Sequence, residues 1–287
     1  MYKGTVHDAA GQCGFIDAAG VSLRYAVSGE GAGMILFHEL GGSLYSWDDV
    51  VPALASEFRV LRFDQRGHGL SEKVRRPFGM HDHASDALAI ADATSLSAPF
   101  WLVGAAAGAA AALELAARVP AKVAGIVLCA PSLSTDGARR TFLESRVERA
   151  VNEGMRAIAD ESLERSYPDD LRIDKRRFED YRARWLANDP VCYALATRAL
   201  IESRLDDAIA SIECPCLSIA GSRDRMRPPD YVQSIVGRIR SAHYTQVDCG
   251  HLVPVQAPGE LASSIRQFIH ASGVTLRSND PLNEVRS

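Results

Sequence analysis

The sequence predicts an α/β protein in which a mostly parallel central sheet is covered by helices on both faces and carries a helical cap insertion. Three observations predict it. Short apolar runs alternate with helical stretches along most of the chain, the pattern of strand-helix-strand units. Phe100–Ala105 reads as a buried strand that passes within one residue into an alanine-rich helix, Ala107–Arg118. From 132 to 209 the strand-like runs cease, and Arg, Glu and Asp recur with helical periodicity, as in Arg146-Val147-Glu148-Arg149-Ala150-Val151. The 287 residues therefore read as one domain, 1–287, with 132–209 inserted in it as a cap.

In chain order, the first strands are expected over 14–18 and 22–27. Residues 34–37 form a buried strand that runs into His38-Glu39-Leu40-Gly41-Gly42-Ser43, a glycine-bearing loop before a helix over 47–56. The strand Phe58–Phe63 ends in Asp64-Gln65-Arg66-Gly67-His68-Gly69-Leu70-Ser71. Gly104-Ala105-Ala106-Ala107-Gly108 then joins strand to helix. It has the spacing of a G-x-S-x-G turn: the central residue is strained, and glycines two before and two after it let strand and helix approach. Alanine holds the place of the serine. A strand over 122–130 ends at Pro131. After the insertion, a strand over 216–220 delivers Asp224, and one over 243–247 delivers His251. A helix, Pro258–Ala271, closes the domain, and 272–287 is a polar tail with no assigned purpose. Ligands of such sheets bind at the carboxyl ends of the strands, which makes the 38–43 loop, position 106, Asp224 and His251 the candidate site.

Composition narrows the partners. The chain is 47% hydrophobic and 24% charged, with net charge −4 and pI near 6.1. It has no basic footprint for nucleic acid or an anionic membrane, so neither partner is expected, and a small molecule is. Homo-oligomerisation is left open. With no apolar leader and no run of about 18 apolar residues, a cytoplasmic location is the expectation. The six cysteines are scattered and form no disulfide or paired zinc pattern. Cys214 and Cys216 share a strand face at period two, a spacing better suited to buried free thiols than to a metal.

The order of strand, H-x-x-G-G loop, strand, D-x-R-G-H-G-x-S, elbow, acid and base resembles the α/β-hydrolase fold family. Within it, 152–160 and 204–209 leading into Pro215 are similar to 3-oxoadipate enol-lactonases and other small-carboxylate hydrolases. The resemblance implies a nucleophile at position 106, Asp224 as the acid, His251 as the base, and an oxyanion hole from the N–H groups of Leu40 and Ala107. It gives His68 a structural part and implies no metal or organic cofactor. It also implies a carboxylate-bearing ester, lactone or amide substrate. Such a substrate needs a cation or strong donor from the cap or the 38–43 loop, with Arg146, Arg149 and Arg184 as candidates and Glu39 beside the oxyanion hole. Phe142, Tyr181 and Trp185 are assigned to the cap core rather than to a substrate platform.

Two departures bear on activity. Glu39 stands where related loops often carry glycine or serine, and Ala106 removes the nucleophile. Three readings follow: a hydrolase whose serine has been changed to alanine, a serine-independent enzyme such as a cofactor-free dioxygenase using His251 and Asp224, and a catalytically silent ligand-binding protein.

Overall fold

A computed structural model describes residues 6–8, 11–18, 20–133 and 137–274. Most of the 272–287 tail, from 275 onward, lies outside the described residues. The strands are β1 (Val6–Asp8), β2 (Gly11–Ala18), β3 (Val21–Ser28), β4 (Ala32–Phe37), β5 (Phe58–Phe63), β6 (Phe100–Ala105), β7 (Val123–Cys129), β8 (Cys216–Gly221) and β9 (Ala242–Val247). They form one sheet in the order β1-β2-β3-β5-β4-β6-β7-β8-β9. The β1-β2, β2-β3 and β3-β5 pairs are antiparallel, and every pair from β5-β4 to β8-β9 is parallel.

The helices are α1 (Val51–Leu54), α2 (Met80–Ala93), α3 (Ala107–Arg118), α4 (Gly137–Glu153), α5 (Arg156–Ser166), α6 (Lys175–Leu186), α7 (Pro190–Glu202), α8 (Asp206–Ala210), α9 (Pro229–Val236), α10 (Val253–Gln256) and α11 (Pro258–Ala271). Residues of α2, α3, α8 and α9 pack on one face of the sheet, and those of α1 and α11 pack on the other. Ala109 to Ala112 and Ala116 of α3 are buried, so small side chains set a close helix-to-strand approach. Between β7 and β8 the chain makes α4 to α8. Part of this insertion has its own core, in which Tyr181 and Trp185 join Tyr167, Phe178 and Tyr193. Phe142 is not part of it; it is half-buried, with the Arg165 guanidinium 4.5 Å from its ring centre.

Several expectations are corrected. The helix expected over 47–56 is a short 3₁₀ turn, Leu44–Trp47, followed by the four-residue α1. Ser43 opens the turn by accepting from the Tyr45 N–H, and Pro52 in the first turn of α1 separates the two. The first two expected strands are longer than 14–18 and 22–27, because β2 and β3 pair from Gln12 with Val27 through Ala18 with Val21. Helices α2 and α9 were not anticipated. Gly79 opens α2 by donating its N–H to Asp82, a reciprocal contact without the usual Ser or Thr signal.

The sheet also explains where a site can form. From β4 the chain steps to β5 on one side, then returns to β6 on the other, so the order reverses between β4 and β6. The loops leaving the carboxyl ends of those two strands diverge and leave a crevice. No described helix is long and apolar enough to cross a membrane.

Candidate active site

The turn after β6 is held by close backbone packing. A Cβ on Gly104 would meet the Gly108 carbonyl oxygen at 2.5 Å, and one on Gly108 would meet that of Phe37 at 2.4 Å. Only glycine fits at either place. Between them Ala106 has φ 49° and ψ −110°, a conformation L residues rarely adopt. Its N–H donates to Cys129 O at 2.9 Å, and its carbonyl accepts from the N–H groups of Ala109 and Ser132 at 3.2 and 3.1 Å. The strained turn thus persists without a serine, and Ala107, the first residue of α3, has an N–H with no intrahelical acceptor.

The 38–43 loop is fixed from below. The backbone N–H of Gln65 donates to His38 Nε2 at 3.0 Å, so Nδ1 carries the proton that His38 gives to the Glu39 carbonyl at 2.8 Å. Burial pushes the His38 imidazole down to about 4, which keeps it neutral at pH 7. Asp64 accepts from the N–H groups of Leu44 and Leu70 at 2.7 and 2.8 Å, tying this loop to the next one. His68 is buried against His38, with ring centres 5.1 Å apart, and burial and His38 push it down to about 3. Leu40 is thereby carried to the crevice edge.

The loops after β8 and β9 bring the acid and base together. His251 Nδ1 donates to Asp224 Oδ2 at 2.8 Å. The other carboxylate oxygen of Asp224 accepts from the N–H groups of Met226 and Arg227 at 2.7 and 2.9 Å. Burial alone would raise the Asp224 pKa; the adjacent His251 and these hydrogen bonds outweigh it and hold the carboxyl below its ordinary range. Both side chains are buried, and His251 opens on one cavity with Ala106, Ala107, Leu40 and Glu39.

These features have counterparts among known proteins. Residues 34–153 match the model of the alpha/beta hydrolase fold. A pyrrolizixenacetamide deacetylase from Xenorhabdus hominickii is 28% identical over 88% of this chain and 96% of its own length. A 3-oxoadipate enol-lactonase from Acinetobacter baylyi is 26% identical over 87% and 94%. The structure of a thermophilic esterase from Thermogutta terrifontis, malate bound, superposes with a TM-score of 0.85 at 25% identity, covering 92% of this chain and 100% of that one. The chain has the α/β-hydrolase fold.

Residues of the helices between β7 and β8 line the cavity, and the arginines divide. Arg146 lines it, is 7% exposed, bonds Tyr193 Oη and lies 5.9 Å from the Trp185 ring centre. The Arg149 and Arg184 assignments are corrected: neither lines the cavity. Arg149 pairs with Glu161 at 3.1 Å and bonds the Ala157 carbonyl, and Arg184 lies over the outer ring of Tyr45 at 5.7 Å. Instead Arg139, which the sequence reading passed over, lines the cavity beside Arg146. Seven residues apart on α4, the two share one helix face; Arg149, about 60° further round, points its guanidinium outward to Glu161 and the Ala157 carbonyl. Burial, then the Arg227 guanidinium, lowers the Arg139 pKa to about 9, so it stays cationic at pH 7. Among the described residues, Nε of both Arg139 and Arg146 lacks a hydrogen-bond partner. Tyr181 and Trp185 serve in the core of the insertion and also line the cavity.

Glu39 is neither turned outward nor paired with an arginine. It is 3% exposed; Oε1 accepts from Ser46 Oγ at 2.8 Å and Tyr181 Oη at 3.0 Å. Burial raises its pKa against those hydrogen bonds and the nearby His251. Among the described residues no group of three or more His, Cys, Asp or Glu is placed to hold a metal. Cys216 is buried on β8, Cys214 is half-buried before it, and both are free thiols.

Proposed function

We propose that the cavity is an acyl-hydrolase site for a small carboxylate-bearing ester, lactone or amide, with Ala106 in the place of the nucleophile. The observation that carries this reading is the retained strained turn at 106 on the same cavity as the buried His251–Asp224 pair. With serine at 106, His251 Nε2 takes the hydroxyl proton, and Asp224 holds the imidazole in the matching tautomer. The N–H groups of Leu40 and Ala107 receive the oxyanion, and water clears the acyl group. With alanine no acyl-enzyme forms, a loss of several powers of ten in rate, on the order of 8 kcal/mol. Arg139 and Arg146 supply the cations that a buried substrate carboxylate requires. The relatives named as a deacetylase, an enol-lactonase and a malate-bound esterase support an amide, lactone or ester of this kind.

Ala106→Ser is expected to label with a fluorophosphonate and to hydrolyse members of a panel of small activated esters and enol lactones, while the chain with Ala106 does neither. A serine variant that does neither removes this reading. The intact His251–Asp224 pair beside an alanine favours a second reading, in which the pair is a base for a serine-independent reaction. In that case a hydroxylated heteroaromatic substrate consumes oxygen without added metal, and His251→Ala abolishes the uptake. Equal uptake by both proteins excludes it.

A further inference from the structure

Glu39 is the group in this cavity that acyl chemistry leaves without a part. It lies 97% buried by its 3% exposure, yet Oε2 has no hydrogen-bond partner among the described residues. The groups facing it are the Ser46 hydroxyl from the turn after β4, the Tyr181 hydroxyl from α6, and the His251 imidazole from the loop after β9. The two hydroxyls donate to Oε1, and the backbone N–H of Glu39 itself also donates to the carboxyl. Burial disfavours the ionised form and outweighs these hydrogen bonds and His251, so the carboxyl's pKa is raised. With Oε1 taking two hydroxyl protons, the acid's own proton belongs on Oε2, where the protein offers no acceptor.

We propose that Glu39 is a specificity-determining group of this cavity: its neutral carboxyl donates through Oε2 to an uncharged acceptor oxygen of the bound ligand. The proposal rests on reading the cavity as a pocket for a small carboxylate. Arg139 and Arg146 on α4 take that carboxylate, and Glu39, on the loop after β4, reads an oxygen elsewhere on the same molecule. It also removes the conflict between an acidic residue and an anionic ligand, because a neutral acid does not repel it. The preferred ligand class is an oxo- or acyl-substituted carboxylic acid rather than a plain fatty acid.

The probes are levulinate, a 4-oxo acid, and pentanoate, which lacks the oxo oxygen. Calorimetry on the full chain at neutral pH is expected to show levulinate binding about tenfold tighter, the worth of one hydrogen bond. Glu39→Gln, which keeps an N–H donor, retains the preference, and Glu39→Met loses it. An equal preference in the methionine variant overturns the proposal, as does equal affinity of the two acids for the unsubstituted chain. If Glu39→Met does not fold, the glutamine variant decides: raising the pH weakens the preference of the unsubstituted chain and leaves that of Glu39→Gln unchanged. Parallel behaviour of the two overturns it. Difference infrared spectroscopy of the chain against Glu39→Gln supplies a ligand-free arm, since a protonated-carboxyl band at neutral pH is required and its absence is fatal. Failure of the pocket reading is distinct: neither acid binds, and the assignment falls with it.

Discussion

The floor and the roof of the cavity are built by different rules. On the floor, each group is set by backbone: Ala106 by a turn in which Gly104 and Gly108 leave no room for a Cβ, Leu40 by a loop locked through His38 and Gln65, His251 by the doubly anchored Asp224. On the roof, position is set by which face of α4 meets the cavity, and the arginines that face it keep unused hydrogen-bonding capacity. A floor of this kind tolerates almost no change in geometry. The roof can exchange side chains while its own aromatic core holds the helices in place, so it is the half that can be retuned for a different ligand.

The sharpest test of the contrast sets a floor glycine against a roof arginine. Gly108→Val forces a side chain into the carbonyls of Phe37 and His38 and is expected to destabilise the fold by about 3 kcal/mol, measured by denaturant unfolding. Arg149→Ala, which breaks an exposed pair with Glu161 and one bond to the Ala157 carbonyl, should cost no more than about 1 kcal/mol. Similar losses at the two positions would erase the distinction.

Asp224→Asn comes next. It removes a buried charge partner from His251, for an expected loss of about 1–3 kcal/mol at neutral pH. Because the Asp224 carboxyl is depressed in the folded chain, its stabilisation is fully present above its unfolded-state pKa. It fades as the pH falls through the lower folded value. Thermal unfolding of the two proteins should therefore converge in acid. A gap that widens toward low pH contradicts the pairing.

On the roof, Arg139→Met with Arg146→Met is expected to weaken binding of a small carboxylate ten- to a hundredfold, about 1.4–3 kcal/mol, while its neutral amide is little affected. Calorimetry with matched acid and amide checks this. Equal losses for both ligands would mean that the roof recognises shape alone.

How far each half was legible in the sequence follows from the same difference. The bounds of β6 and α3, the elbow at 106 and the Asp224–His251 order were readable because glycine spacing and strand ends are local, stereochemically strict signals. The arginine choice was not. Arg146 and Arg149 are three residues apart and adjacent on the helix surface, so periodicity does not separate them, and only the contacts of Arg149 with Glu161 and the Ala157 carbonyl show that it leaves the cavity to Arg146. Glu39 was visible as a departure, but its burial depends on Tyr181 and Ser46 closing over it, contacts 142 and 7 residues away in the chain. Long-range closure of that kind has no local signature. The break between the 3₁₀ turn and α1 differs in kind, since Pro52, which fits only the first turn of a helix, is a local signal for it.

The smallest expected effect tests whether the floor is polar at a cost to stability. Burial raises the Glu39 pKa, so the folded chain binds this proton more tightly than the unfolded chain does. The sign follows: Glu39 is best tolerated below its ordinary value of 4.5, and its contribution declines as the pH rises from there through the folded pKa. Glu39→Gln keeps an oxygen for Ser46 and Tyr181 and cannot ionise, so it has no such decline. The variant and the unsubstituted chain should melt together in mild acid, with the variant higher by a few degrees at alkaline pH, roughly 2–4 °C per kcal/mol for a chain of this size. Asp224 and the remaining carboxylates titrate in both proteins, so the difference between the two curves isolates Glu39. A difference that is flat with pH would place an ordinary carboxylate at the floor, and a variant less stable at high pH would mean that the ionised form is the one the fold prefers.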